Sequence, residues 1–373
     1  MPGILIAAIA GRMLAASARR GGYEVAVLDL FNDLDTRRIA PISQQVPGHE
    51  QGLAGFSRHA LLQAASDIAP GDAYPGIVYG SGFEDDTNLL RALAQGRRLY
   101  GNSPDVVERI KHPRQFFALL DALNIPHPEI RFSPPENSEG WLTKKIGGSG
   151  GAHVKAASNT DVDFHNHYFQ RYCAGKNYSV SFLADGGRAL IIGFNEPWAI
   201  ALGDWPYCYL GAINHANVPT DIAARMQTHL DALVQAADLR GLNGLDFIVN
   251  GAEYSVIEVN PRPSGTLDLY DADSPRGLFH NHLEASDGRL PHVIFTQKTI
   301  RAHAVVYTPH ALTLSHAISW PDWCSDIPEP GSRFAPRMPV CMVHADGFDH
   351  GEVRKKIQQR RDSIWNVIQQ QAA

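Results

Sequence analysis

The sequence predicts an α/β protein built from two or three compact units, on three observations. The chain has 373 residues, more than one ordinary domain uses. Its first hundred or so residues alternate strand-like apolar runs with helical periods. Its middle part replaces that rhythm with short strands joined at glycine-bearing turns.

GILIAAIAG opens the chain with a buried strand over residues 4–8, and a turn and a helix follow in RMLAASARRGG. YEVAVLDL is a strand ending near Asp29; residues 57–68 read as a helix, PGIVYG as a strand and NLLRALAQ as a helix. This is a small, mostly parallel unit, expected over residues 1–99. Gly11 follows the first strand, but GxGxxG is absent, so the position reads as a structural turn.

The second unit is expected over residues 100–290. PRQFFALLDALNIPHPE is a helix ended by proline-bearing chain, and polar FSPPENSEG leads into the strand WLTKKI. HYFQRYCAGKNYSVSFLADGGRALIIGFN reads as strands joined at AGKN and ADGG. Residues 221–239 repeat apolar positions at helical spacing, and GLDFIVN and YSVIEVN form a hairpin through GAE. Residues 291–373 are expected to form a C-terminal β-containing extension, with a charged helix from Gly351 to about residue 368.

Composition narrows the function. Lys and Arg number 33 against 39 Asp and Glu, a net charge of -6, which excludes a general nucleic-acid surface. Cys173, Cys208, Cys324 and Cys341 form no CxxC pair, which fits a reducing cytoplasm and argues against a zinc knuckle. The first apolar run is short, is broken by Arg12 and precedes its positive charges, so neither a secretory signal nor a membrane span is expected. Periodicity leaves the oligomeric state open, with a homodimer as the ordinary expectation.

The chemistry-bearing residues cluster in two places. In GLDFIVNGAEYSVIEVNPRPSG, Asp246 and Glu258 fall at corresponding parts of two adjacent strands, and Asn260 shares a face with Glu258. That oxygen set suits magnesium, and Arg262 follows on a proline-constrained strand exit. Paired acids beside a hairpin are also common as plain solvent-facing residues. In WLTKKIGGSGGAHV, Lys144 precedes the loop Gly147, Gly148, Ser149, Gly150 and Gly151, whose backbone N–H groups can turn toward phosphate. Lysine follows the glycines in a Walker A loop; here it precedes them. Lys111 stands before the helix that precedes this strand. Glu84 in GSGFEDD reads as either a solvated turn or the rim of a pocket, Ser264 and Thr266 as partners of local backbone, and Cys341 as core.

This set of dispersed positions resembles the ATP-grasp superfamily of ligases from about Lys111 to Arg262. The resemblance implies an ATP-grasp fold: an N-terminal parallel α/β unit, a central grasping subdomain with a mobile lid at about 139–185, and the C-terminal extension. It implies ATP and Mg2+ as ligands. Lys111 and Lys144 match the phosphate lysines, residues 147–151 the flap, and Asp246, Glu258 and Asn260 the metal positions. Arg262 matches the phosphate-facing arginine, so Lys144 and Arg262 are the expected catalytic residues. Gln170, Arg171, Tyr172 and Cys173 match the adenine-facing hinge. Asn177 stands where an acid often binds ribose, and Gln170 where glutamate is frequent. The implied reaction joins a small-molecule carboxylate to an amine through an acyl phosphate, releasing ADP and phosphate. A carboxylase or phosphoryl-transfer enzyme and a non-catalytic nucleotide-binding module are the alternatives. GFED, NPRPSGTLDL and DIP…PVC…ADG are similar to ATP-grasp proteins of one-carbon cofactor synthesis, which implies glutamate as an amine added to a cofactor precursor.

Overall fold

The computed structural model describes residues 3–49, 55–157, 165–292 and 299–371. Segments 158–164 of the expected lid and 293–298 of the expected extension lie outside the described residues, as do the first two positions of the apolar N-terminus.

The N-terminal strands are β1 (Ile4–Ala7), β2 (Val25–Asp29), β3 (Ile42–Gln45), β4 (Gly76–Tyr79) and β5 (Arg98–Tyr100). They form a parallel sheet in the order β3-β2-β1-β4-β5. β1, β2 and β4 are buried along their whole length, as a parallel sheet covered on both faces requires. Alternate residues serve different cores. Leu5, Ala7, Leu28 and Ile77 pack into one made by this unit together with Val107 just beyond it. Ile4, Ile6, Val27 and Val78 share the other with Leu183, Leu242, Tyr270 and Phe279 of the second unit. The order reverses about β1, so the crevice beyond the C-terminal ends of β1 and β4 is the switch point where such sheets bind ligands. Gly11 and Arg12 leave β1 there, and Glu84 follows β4.

A small antiparallel sheet contains β6 (Ile130–Arg131), β7 (Trp141–Lys145), β8 (Lys155–Ala156) and β9 (His167–Arg171), in the order β6-β9-β7-β8. The expected lid range of 139–185 also takes in β10 (Lys176–Asp185), whose residues pair in a larger sheet. That sheet adds β11 (Ala189–Leu202), β12 (Trp205–Ile213), β13 (Arg240–Asn250), β14 (Glu253–Asn260) and β15 (Ile300–Tyr307). Farther along the chain come β16 (Leu312–Thr313), β17 (Cys324–Ser325), β18 (Arg333–Phe334) and β19 (Pro339–Gly347). The large sheet runs β14-β13-β10-β11-β12-β15-β19-β17, while β16 and β18 pair with each other. The strands expected as a C-terminal extension therefore continue the central sheet through the β12–β15 pairing. Helix Thr220–Ala237 buries Ile222, Met226, Leu230, Leu233 and Val234 against one part of this sheet. Helix His350–Gln371 covers β15 and β19 through Val353, Ile357, Ile364 and Ile368.

The β12–β15 seam depends on a glycine without a side chain. A Cβ at Gly211 would overlap the His303 carbonyl oxygen and lie 2.8 Å from Ala304 Cα. Gly211→Ala should lower stability by about 1–3 kcal/mol through overpacking, read as a lower urea midpoint. An unchanged midpoint would contradict this account of the seam.

Candidate active site

The carboxylates are set by strand register. β13 and β14 pair with Asp246 opposite Glu258 and Gly244 opposite Asn260. The pairing then skips Ile257, a bulge that re-aims the strand next to the acids. Asp246, Glu258 and Asn260 consequently share one face, as the period-two pattern predicts. Asn260 Nδ2 donates to Asp246 Oδ2 at 3.0 Å.

Cations reach this face from three other elements. Lys111 ends helix Pro104–Lys111 and pairs directly with Glu258. Lys144, only 6 % exposed, extends from β7 with its Nζ 5.9 Å from the centre of the Tyr168 ring, within cation–π range. Arg262 leaves β14 and donates through Nε to Glu84 Oε1 at 2.6 Å. Lys145, the next residue on β7, lies 3.6 Å from Asp85 instead, so alternation sends only Lys144 toward the carboxylates.

The charges respond as a coupled set. Burial and then the Glu258 charge push the Asp246 carboxyl up. Burial opposes ionisation of Glu258 too, but Lys111 and Lys144 outweigh it and hold that carboxyl well below its ordinary range. Lys144 is held above the ordinary lysine value: burial works against its charge, while Tyr168, Glu258 and Asp246 favour it.

Glu84 is buried rather than solvated, which corrects the open-turn reading of GSGFEDD. Its second oxygen accepts from the Gly82 and Phe83 N–H groups at 2.7 and 3.0 Å. Despite burial, Arg262 and then Lys111 hold its carboxyl low. The sequence signal was present in the glycines around it, but the partner is 178 positions away. Ser264 and Thr266 are likewise corrected: Ser264 Oγ meets Thr266 Oγ1 at 2.8 Å, and Thr266 Oγ1 meets Ser181 Oγ at 2.8 Å, so their partners are hydroxyls.

The loop of Gly147, Gly148, Ser149, Gly150 and Gly151 lies against both walls of the cleft. Gly147 has φ +72°, and a Cβ there would come within 2.9 Å of Asp85 Cα. Gly151 has φ +77°, and a Cβ there would overlap the Tyr207 carbonyl oxygen. The Tyr209 N–H donates to Gly150 O at 3.0 Å, fastening the loop to β12. Beneath it is a narrow cavity of about 30 Å³ lined by Lys111, Lys144, Gly148, His153, Tyr168 and Glu258. His153, absent from the sequence reading, places a buried Nδ1 there without a partner.

The expected adenine segment occupies the end of β9 and the chain just after it. The N–H groups of Arg171 and Tyr172 are already donated to Glu129 O and Gly140 O, both at 2.8 Å, so neither is free for a base. Gln170 is 3 % exposed, and its buried Oε1 has no partner. Cys173 is half-buried and Asn177 is exposed at the start of β10.

Residues 114–266 match the model of an ATP-grasp domain. The chain carries an ATP-grasp domain. Its fold is that of ATP-grasp proteins. The architecture agrees across the whole chain. Biotin carboxylase from Campylobacter jejuni, solved with β,γ-ATP, superposes with a TM-score of 0.74 at 12 % identity, over 100 % of this chain and 91 % of that one. An L-amino acid ligase from Bacillus licheniformis gives 0.72 at 12 % identity, over 97 % of each chain. N5-carboxyaminoimidazole ribonucleotide synthetase from Thermotoga maritima gives 0.68 at 17 % identity, over 97 % of this chain and 98 % of that one. Among sequences, an uncharacterized protein of Methanocaldococcus jannaschii is 22 % identical over 246 residues, 62 % of this chain and 60 % of the relative. No described helix of the chain is long and apolar enough to cross a membrane.

Two measurements check the geometry. Lys111→Met removes the cation paired with Glu258, so the Glu258 midpoint should rise by about 1 unit or more, read by carboxyl-carbon NMR titration. Because the folded carboxyl is held low, this pair stabilises the protein above the ordinary glutamate range and ceases to do so as pH falls through the folded value. The Lys111→Met protein should therefore lose its stability deficit in acid; a deficit independent of pH would contradict the pairing. Gly151→Ala should displace the glycine loop from Tyr207 and lower ATP turnover about tenfold while leaving the circular dichroism spectrum unchanged. Undiminished turnover would show that the loop's closed position is irrelevant to catalysis.

Proposed function

We propose that this ATP-grasp enzyme joins a small-molecule carboxylate to an amine, using ATP and releasing ADP and phosphate. The observation that carries the reading is the buried set of Asp246, Glu258 and Asn260 facing Lys111, Lys144 and Arg262. Burial, and then repulsion from Glu258 on the neighbouring strand, push the Asp246 carboxyl up, and a bound divalent cation would relieve that push. The donor set is hard oxygen, which fits magnesium. Bound there, magnesium would offset phosphate charge, with Asp246, Glu258 and Asn260 as its protein ligands and Lys111 released from Glu258 toward phosphate.

Lys144 is positioned to hold ATP phosphates, and Ser149 and the glycines of residues 147–151 to cover them with backbone N–H groups. The unpartnered Gln170 Oε1 is the acceptor available to an adenine edge, with Arg171, Tyr172 and Cys173 completing the hinge and Asn177 offering its amide to ribose. The carboxylate oxygen attacks the γ-phosphorus; the bond to ADP breaks, and an acyl phosphate forms. The amine lone pair then attacks the acyl carbon. A C–N bond forms, the C–O bond to phosphate breaks, and the amine proton passes to water. Arg262, fixed by Glu84, is placed to neutralise the transferring phosphoryl group. By resemblance to the one-carbon cofactor group, a cofactor precursor is the first acceptor to try and glutamate the first amine.

The deciding experiment is a mass-spectrometric product screen pairing ATP and magnesium with carboxylates and amines. ADP, phosphate and a condensation product lighter by one water are expected, and Glu258→Gln should lower the rate by at least about 100-fold. AMP and pyrophosphate, or a carboxylated product from bicarbonate without an amine, would refute amide formation. Removing magnesium by chelation should abolish turnover; full turnover in chelator would refute the metal assignment.

A further inference from the structure

One buried polar atom beneath the glycine loop has no partner, and it belongs to a residue that no motif singled out. His153 stands two positions beyond Gly151, in a turn where the Val154 N–H donates to Gly151 O at 3.1 Å. Its ring folds back over the loop. A Cβ at Gly148 would lie 2.5 Å from two of the ring carbons and 2.7 Å from Nδ1, so glycine leaves the ring its room. The ring lines the narrow cavity of about 30 Å³ together with Lys111, Lys144, Tyr168 and Glu258. Its Nδ1 is buried there without a hydrogen bond.

An unsatisfied buried nitrogen is costly, and a polar group entering the cavity removes that cost. The lining selects the charge of this group. Lys111, Lys144 and Lys145 line the cavity against the single carboxylate of Glu258. Lys111 pairs with Glu258 and Lys145 with Asp85, which leaves Lys144 without an ion pair among the described residues. The surplus is positive, so the cavity suits an anion. Its volume admits one small group, such as the oxygens of a single phosphoryl unit, and neither a base nor a sugar. The His153 ring itself is neutral: burial pushes it down to about 4, Lys144 and Lys111 add to that push, and Glu258 opposes it. A neutral imidazole carries one N–H, which on Nδ1 is a donor to the anion.

We propose that His153 is a nucleotide-contacting residue, its Nδ1–H donating to a phosphate oxygen of bound ATP beside Lys144. The assignment rests on the nucleotide-binding part of the ligase reading and adds a neutral donor to the lysines of that site. A lysine holds phosphate as a mobile point charge, whereas a ring wedged over Gly148 offers its N–H in one direction. His153 therefore fixes where the phosphate chain lies under the loop, and Gly148 is the positioning residue that lets the ring reach it.

Calorimetric titration of the full chain with ATP and with ADP, each with magnesium, is the test, on the parent, His153→Leu and His153→Asn. Leucine keeps the packing over Gly148 and loses the donor; asparagine keeps an N–H near the place of Nδ1 and gives up much of the packing. His153→Leu should weaken ATP binding about tenfold or more, and His153→Asn should recover most of that loss. A loss confined to ATP supports contact with the γ-phosphate, and one shared with ADP supports contact with the β-phosphate. Parent-like ATP affinity in His153→Leu, or an asparagine variant weaker than the leucine one, overturns the assignment: the ring then only packs, or a water satisfies it. Should the variants fail to fold, the parent labelled with 15N-histidine decides. Its His153 Nδ1 signal should move when ATP is added to the magnesium-containing sample. A signal that stays in place, or that moves with magnesium alone, overturns the proposal. If the parent binds ATP and the variants match it, only the His153 assignment falls; if the parent binds no ATP, the ligase reading falls and takes this assignment with it.

Discussion

Two carboxylates held side by side on one sheet face set the terms for the rest of the site. The register between β13 and β14 fixes Asp246 opposite Glu258, and no residue on those strands neutralises them. Compensation must come from elsewhere. Lys111 arrives from a helix end, Lys144 from a different sheet and Arg262 from the chain leaving β14. A buried like-charge pair is expensive unless opposite charge is held close. That requirement couples the small sheet, the helix before it and the large sheet into one electrostatic unit, although they share little backbone pairing.

The N-terminal sheet belongs to this unit as well. Its second face shares a core with the large sheet through Ile4, Ile6, Leu183, Leu242 and Phe279, so the crevice at the switch point has fixed walls. Glu84 and Arg12 then cross the crevice at two places. Glu84 orders Arg262 for the phosphate side, and Arg12 joins the C-terminal region through Asp268 and Asp326. Removing one partner of a buried pair leaves an unpaired charge, costing about 3–5 kcal/mol, so these contacts also hold the crevice in register. Its two lips differ in balance: Lys111, Lys144 and Arg262 match Asp246, Glu258 and Glu84 at one, while acids outnumber Arg12 at the other.

The small sheet is tied down more lightly. Its glycine loop closes the phosphate cavity by backbone contacts to β12 and to the Glu84–Asp85 turn, made possible because Gly147 and Gly151 carry no side chain. Such contacts bury little apolar area, so they hold the loop less firmly than a packed core would.

Sequence alone determined most of the local elements. Alternation is local, so it gave away the parallel N-terminal unit, the β13–β14 hairpin and the shared face of Asp246, Glu258 and Asn260. Resemblance to the ATP-grasp family, rather than any local pattern, joined Lys111, Lys144, residues 147–151 and Arg262 into one expected site. Tertiary structure alone decided the partners. Glu84 looked like a solvated turn because nothing near it in sequence shows that Arg262 would meet it. His153 and Tyr209 carried no motif, and Arg12 looked like an interruption in an apolar run until Asp268 and Asp326 folded against it. The continuation of the central sheet into β15 and β19 was equally invisible, since strand pairing is a long-range choice made by hydrogen bonds and shared burial. Hydrophobic period writes each element locally; charge compensation is satisfied only in three dimensions.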